Sequence, residues 1–168
     1  MIEVLLADIT TLEVDAIVNA ANEQLAPGGG VCGAIYRAAG PQLERLTRGM
    51  APCPTGHAVL TPGFDLPARF IVHAVGPVWH GGGSGEEALL RSAYEQAFEQ
   101  AAAEGSIRSI AFPAISTGIY GFPMEVATPI ALDAMAANEP RFDRVVACMF
   151  DAQGARVYEE ALAGRRRS

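Results

Sequence analysis

Three consecutive glycines, Gly28-Gly29-Gly30, run into Val31-Cys32-Gly33-Ala34-Ile35, the small and apolar start of a tightly packed helix. Without Cβ atoms, the backbone N–H groups of such a loop approach a ligand closely and point the same way. The helix behind them adds the positive end of its dipole, so the segment suits a phosphate. A second segment repeats the arrangement. Phe112-Pro113-Ala114-Ile115-Ser116-Thr117-Gly118-Ile119-Tyr120-Gly121-Phe122-Pro123 reads as a buried strand, a polar turn and a helix begun at Pro123. Two cradles converging on one pyrophosphate give each phosphate its own donors. Asp8, closing an apolar N-terminal run, fits two roles equally: capping a turn, or accepting a hydrogen bond from an exocyclic amine such as adenine N6.

Cys32 stands beside the expected helix start, which lowers a thiol pKa, but two phosphate charges nearby oppose the thiolate. Its plainer role is a small apolar filler under the loop. His73 ends a buried strand and invites pairing with Cys32; His57 and His80 have no partner identifiable in the sequence. The spacing Gly28-x-Gly30-x-x-Gly33 also matches a dinucleotide fingerprint. That fingerprint follows its strand directly, with a second strand ending in an acid about 20 residues on. Here residues 21–27 intervene and the next strand starts only at Ala58, which leaves an NAD-dependent oxidoreductase as a distant alternative. No paired histidines or carboxylate cluster have ligand spacing, so neither a metal nor a cofactor is expected.

The elements that position these residues follow from hydrophobic patterning. Apolar runs of strand length fall at 3–7, 16–20, 58–61, 70–75, 107–113 and 144–150, and their near-continuous apolarity predicts a sheet covered on both faces. Helices are expected at 34–39, 42–48, 86–104, 124–137 (with Pro129 inside) and 157–162. The alternation predicts an α/β fold, a three-layer α/β/α sandwich, with ligands beyond the carboxyl ends of the strands.

A chain of 168 residues fits one domain, here residues 1–168. The net charge is −7 and all 12 basic residues are arginine, a balance that excludes a broad nucleic-acid footprint. Arg165-Arg166-Arg167 reads as part of a frayed solvated tail, 162–168. No apolar run nears the roughly 18 residues of a membrane span, and the N-terminus reads as a strand, not a signal peptide. Three scattered cysteines, Cys32, Cys53 and Cys148, read as reduced thiols of a cytoplasmic protein. Nothing specifies an oligomeric state, and a monomer is the default.

Asn19-Ala20-Ala21-Asn22, the 28–30 loop, His73-Ala74-Val75-Gly76-Pro77 and Ser116-Thr117-Gly118-Ile119-Tyr120-Gly121 together resemble, in order, the motifs of macrodomains. The similarity runs from Asp8 to about Leu162. It is greatest to the branch that removes ADP-ribose from proteins or deacetylates O-acetyl-ADP-ribose. The resemblance implies a mixed, mostly parallel central sheet with ADP-ribose across its top. It places Asp8 on the adenine amine, with a backbone contact from Ile9. Asn22 would orient the distal ribose, and Gly30, Val31, Ser116, Thr117, Gly118, Ile119 and Tyr120 would wrap the diphosphate and that ribose. Phe150 would pack on adenine; read without the resemblance, it is strand-end core.

Hydrolytic members usually carry an aspartate where this chain has Cys32, and often a histidine where it has Tyr36. Losing the aspartate removes the obvious general base. A ligand phosphate oxygen and backbone donors would then hold the water, with orientation supplying the rate. Two functions stay open. One is a hydrolase of ADP-ribose esters, whether on mono-ADP-ribosylated acidic side chains of a protein or in O-acetyl-ADP-ribose, with Asn22 and Cys32 at the catalytic end. The other is a non-catalytic ADP-ribose reader. Asn22 and the complete glycine loop favour the first, Cys32 and Tyr36 the second.

Overall fold

Strand β2 (Ala16–Ala21) shows how the sheet is built. Its Ala16 and Val18 pack into one core and Ile17, between them, into another. Successive strand side chains point to opposite faces, so a strand apolar at consecutive positions needs a cover on each side. The same alternation holds in β4 (Phe70–Val75; Val72 against Ile71), β5 (Ser109–Phe112; Ile110 against Ala111) and β6 (Arg144–Met149; Val145 against Val146). One face carries α3 (Glu86–Glu104), α4 (Met124–Asn138) and α5 (Ala152–Arg166), through Leu90, Phe98, Ala131 and Tyr158. The other carries α1 (Gly30–Ala39) and α2 (Pro41–Arg48), through Ile35 and Leu43.

The structure is a computed structural model that describes residues 1–167. With β1 (Ile2–Leu6) and β3 (Ala58–Pro62), the sheet order is β1-β6-β5-β2-β4-β3. Every pair is parallel except β3 on β4, at one edge. The mixed, mostly parallel three-layer sandwich is the fold expected from the sequence.

Strand bounds shift by one or two residues, and the larger differences lie at helix ends. α1 starts at Gly30, four residues before the expected Ala34, because the glycine run itself enters the first turn. α4 continues through Pro129 to Asn138, and the Thr128 hydroxyl bonds to Met124 O at 2.7 Å beside the proline. α5 is far longer than the expected 157–162. Asp151 caps it at the start, accepting from Gly154 N at 2.7 Å, where polar Gln153 and Arg156 hide the helical pattern. The tail expected to fray is instead helix as far as Arg166. Arg165 pairs with Asp133 at 2.7 Å and Arg166 donates to Ile2 O at 3.2 Å, so tertiary partners hold the last turn. Ser168, the end of that expected tail, lies outside the described residues. Among the described residues no helix is long and apolar enough to cross a membrane.

Candidate functional site

From β2 the chain passes to α1 on one face, and from neighbouring β5 to α4 on the other. Loops that leave adjacent strand ends toward opposite faces open a crevice between them. A cavity of about 570 Å³ fills it, walled by the carboxyl ends of β2, β5 and β6, by Gly76 beyond β4, and by both glycine-containing turns.

The first turn is braced by Asn22. Its Nδ2 donates to Ala26 O at 2.9 Å and its Oδ1 accepts from Ala26 N at 3.1 Å, bending the chain out of β2. Among the described residues no side chain caps α1, whose first turn, residues 30–32, lines the cavity with its N–H groups uncapped. Gly33 is required by packing: a Cβ there would lie 2.3 Å from Gly28 O. Tyr36 does not reach the cavity. Its hydroxyl donates to Leu25 O at 2.5 Å and lies 3.2 Å from Thr47 Oγ1, supporting the loop from within the core.

The second turn closes on itself. Phe122 N donates to Ser116 O at 2.9 Å and Thr117 Oγ1 to Ala114 O at 2.9 Å. Ser116 holds φ +68°, and its buried hydroxyl has no hydrogen-bond partner among the described residues. It approaches β4 so closely that a Cβ on Gly76 would lie 2.2 Å from Ser116 Oγ. Gly30, Val31, Asn22, Cys32, Ser116, Thr117, Gly118, Ile119, Tyr120 and Phe150 all line this one cavity. The fold therefore gathers most of the candidates.

Cys32 ends a polar chain that crosses three strands. The Thr61 hydroxyl donates to Pro62 O at 3.1 Å, so it accepts from Nε2–H of His73 at 3.0 Å. His73 Nδ1, 3.1 Å from Asn19 Nδ2, is then the acceptor, and the other amide hydrogen of Asn19 reaches Cys32 Sγ at 3.7 Å. The thiol donates to Ala26 O at 3.6 Å. Burial lowers the His73 pKa to about 4, so the ring is neutral at pH 7. Burial also pushes the Cys32 thiol up, outweighing the N–H donors of Asn19 and Gly28. No Cys32–His73 ion pair forms; the thiol fastens the loop to the sheet.

Asp8 and Ile9 are not part of the cavity wall. Asp8 caps a 3₁₀ turn, Ile9–Thr11, accepting from Thr10 N at 3.0 Å and Thr10 Oγ1 at 2.7 Å, and Ile9 is buried in the α1–α2 core. The cap is therefore formed. The Asp8 charge also lies near the wall residue Cys148, whose thiol is raised to about 11 by burial first and by Asp8 second. Phe150 is not strand-end core: it is 75% exposed at the cavity rim, because β6 ends one residue earlier. Sequence reasoning missed Met124, Gln153 and Val157, which α4 and α5 bring to the wall. Gly76, inside the 73–77 motif, and Cys148, near the end of the 144–150 apolar run, also join the wall. Asp151, the single carboxylate in the wall among the described residues, is engaged in capping α5 beyond β6, about 10 Å across the sheet from β2.

The Macro domain family model matches residues 18–131. The Macro domain-containing protein CT2219 of Chlorobaculum tepidum is 51% identical over 166 residues, covering 97% of this chain and 96% of that protein. An O-acetyl-ADP-ribose deacetylase of Klebsiella pneumoniae is 51% identical over 168 residues, covering 96% and 95%. A solved mutant of the Oceanobacillus iheyensis macrodomain with ADPR superposes at TM-score 0.93 with 38% identity, covering 99% of this chain and 94% of that one. Family match, about 50% identity across nearly the full length and a superposable fold agree: this chain belongs to the macrodomain family.

Proposed function

We propose that the protein binds ADP-ribose in this cavity and hydrolyses esters of it, on mono-ADP-ribosylated acidic side chains or in O-acetyl-ADP-ribose. The observation that carries the reading is the convergence of two backbone cradles on one cavity, with Phe150 at the β6 end and Asn22 at the β2 end. Two strand spacings separate those ends, about 10 Å, which suits a nucleotide laid across the strand ends. Adenine packs on exposed Phe150, with Asp8 beyond Cys148 as the acceptor for its amine. The diphosphate lies between the α1 N-terminus and the Ser116 turn, where N–H donors and the helix dipole neutralise it. The distal ribose meets Asn22, Gly28 and Cys32.

Hydrolysis adds water across the ester and releases ADP-ribose and a carboxylic acid. Cys32 is a neutral thiol whose hydrogen is committed to Ala26 O, so it serves neither as nucleophile nor as strong base. A phosphate oxygen of the ligand holds the water instead, and the rate comes from orientation. The same neutral thiol is the specific observation that favours the second reading, a non-catalytic ADP-ribose reader. An oxidoreductase fits poorly, because the chain leaves α2 for antiparallel β3 and not for the parallel strand that the dinucleotide fingerprint needs.

Release of acetate from O-acetyl-ADP-ribose, and of ADP-ribose from mono-ADP-ribosylated protein, tests the proposal beside ADP-ribose calorimetry. Binding with turnover is expected. Binding without turnover on either substrate makes the protein a reader, and absence of binding refutes both readings.

A further inference from the structure

The Ser116 turn is held from behind by a loop that the reaction itself does not use. Residues 80–85 read His-Gly-Gly-Gly-Ser-Gly, and Gly81, Gly82 and Gly85 sit at φ +97°, +92° and +77°, a left-handed run open to glycine. This winding turns the N–H groups of His80, Gly82 and Ser84 onto the Glu86 carboxylate, at 2.9, 2.9 and 2.6 Å. Glu86 is 1% exposed, and these donors, His80 foremost, hold its carboxyl down at about 2. The loop is thus an anion nest filled by a carboxylate of the chain itself. Next to it, the backbone N–H of Trp79 donates to Tyr120 O at 2.8 Å, and the centroid of its ring lies 4.6 Å from that of Phe122. Tyr120 walls the cavity. The same helix, α3, also grips the root of the turn, where the Tyr94 hydroxyl accepts from Ile115 N at 3.1 Å.

We propose that Glu86 is a positioning residue for the second cradle. Its carboxylate winds 80–84 into the one shape that presses Trp79 against Tyr120 and Phe122, and so fixes the 116–120 backbone that faces the diphosphate. A nest of donors requires an anion at its centre, and a neutral amide there would point its own N–H groups at theirs. The inference rests on the ADP-ribose reading.

The test compares ADP-ribose affinity of wild type, Glu86→Gln and Trp79→Ala, with Asp143→Asn as an exposed carboxylate control remote from the cradle. Trp79 is the single tryptophan, so its emission reports on the latch directly. Wild type should change emission on adding ADP-ribose. Glu86→Gln should lose about tenfold in affinity, the scale of one charge-assisted hydrogen bond, and should show a shifted Trp79 emission before ligand is added. Trp79→Ala, which keeps Glu86 and all three backbone donors of the nest but removes the ring, should lose a similar factor, and Asp143→Asn none. Wild-type affinity in either Glu86→Gln or Trp79→Ala, with circular dichroism unchanged, overturns the positioning role and leaves the ADP-ribose reading standing. Absence of ADP-ribose binding by wild type overturns that reading instead.

Discussion

Replacing Phe150 by alanine separates a ligand platform from a core residue on two independent axes. A fully buried phenylalanine costs roughly 3–5 kcal/mol of stability on truncation. Phe150 is 75% exposed, so only a quarter of its surface is covered in the free protein. Scaled by that fraction, the expected loss is about 1 kcal/mol. For a domain of this size that lowers the melting temperature by roughly 2–4 °C. On the ligand axis, losing a base stacked on an aromatic costs about 1–3 kcal/mol, or roughly five- to 150-fold in affinity. Calorimetry should therefore show weaker ADP-ribose and AMP binding, with ribose 5-phosphate, which lacks the base, unaffected. A large melting shift with affinity intact in the folded fraction would refute the placement. An equal loss for ribose 5-phosphate would show that the rim collapses instead of losing a stack.

Cys32→Ala should keep most wild-type turnover with no trappable covalent adduct by mass spectrometry, whereas Asn22→Ala should lose most of it through the loosened 22–26 bend; abolition by Cys32→Ala would make the thiol a nucleophile after all. Cys32→Asp should raise the rate, since Asn19 Nδ2 and Gly28 N–H already point at this position and a carboxylate there supplies a base. Asp8→Ala should weaken ADP-ribose about ten- to a hundredfold if its carboxylate meets adenine; unchanged affinity with normal circular dichroism would reduce Asp8 to the cap of the Ile9–Thr11 turn. Burial lowers His73 from 6.5 to about 4, so on acidification the unfolded chain takes up the proton first. The associated stability, about 3 kcal/mol, is complete above pH 6.5 and lost as pH falls toward 4. Urea denaturation from pH 7 to 4 should show that slope in wild type and not in His73→Leu; equal slopes would refute the neutral buried ring.

What was legible in the sequence is what short-range pattern records. The strands of β2, β4 and β6 are nearly continuous apolar runs, broken only by Asn19, His73 and the leading Arg144, and burial on both faces requires such runs whatever the topology, so their positions and the three-layer architecture follow directly. The two cradles were legible for a similar reason, since loops that bring backbone to a ligand need glycine and short polar residues locally. Helix α5 was half hidden, because its first turn is specified by the Asp151 cap and not by an apolar stripe, and its last turn by Asp133 and Ile2, which are remote in sequence. Phe150 shows the limit most plainly. An aromatic after an apolar strand reads equally as core or as platform, and only the strand end, one residue earlier, turns it outward. Cys32 was likewise undecided until Asn19, His73 and Thr61 came together from three strands, because a thiol pKa depends on burial and donors that no local spacing encodes. Chain-local chemistry determined which segments can hold an anion. The long-range order of the strands alone decided that both segments line one cavity.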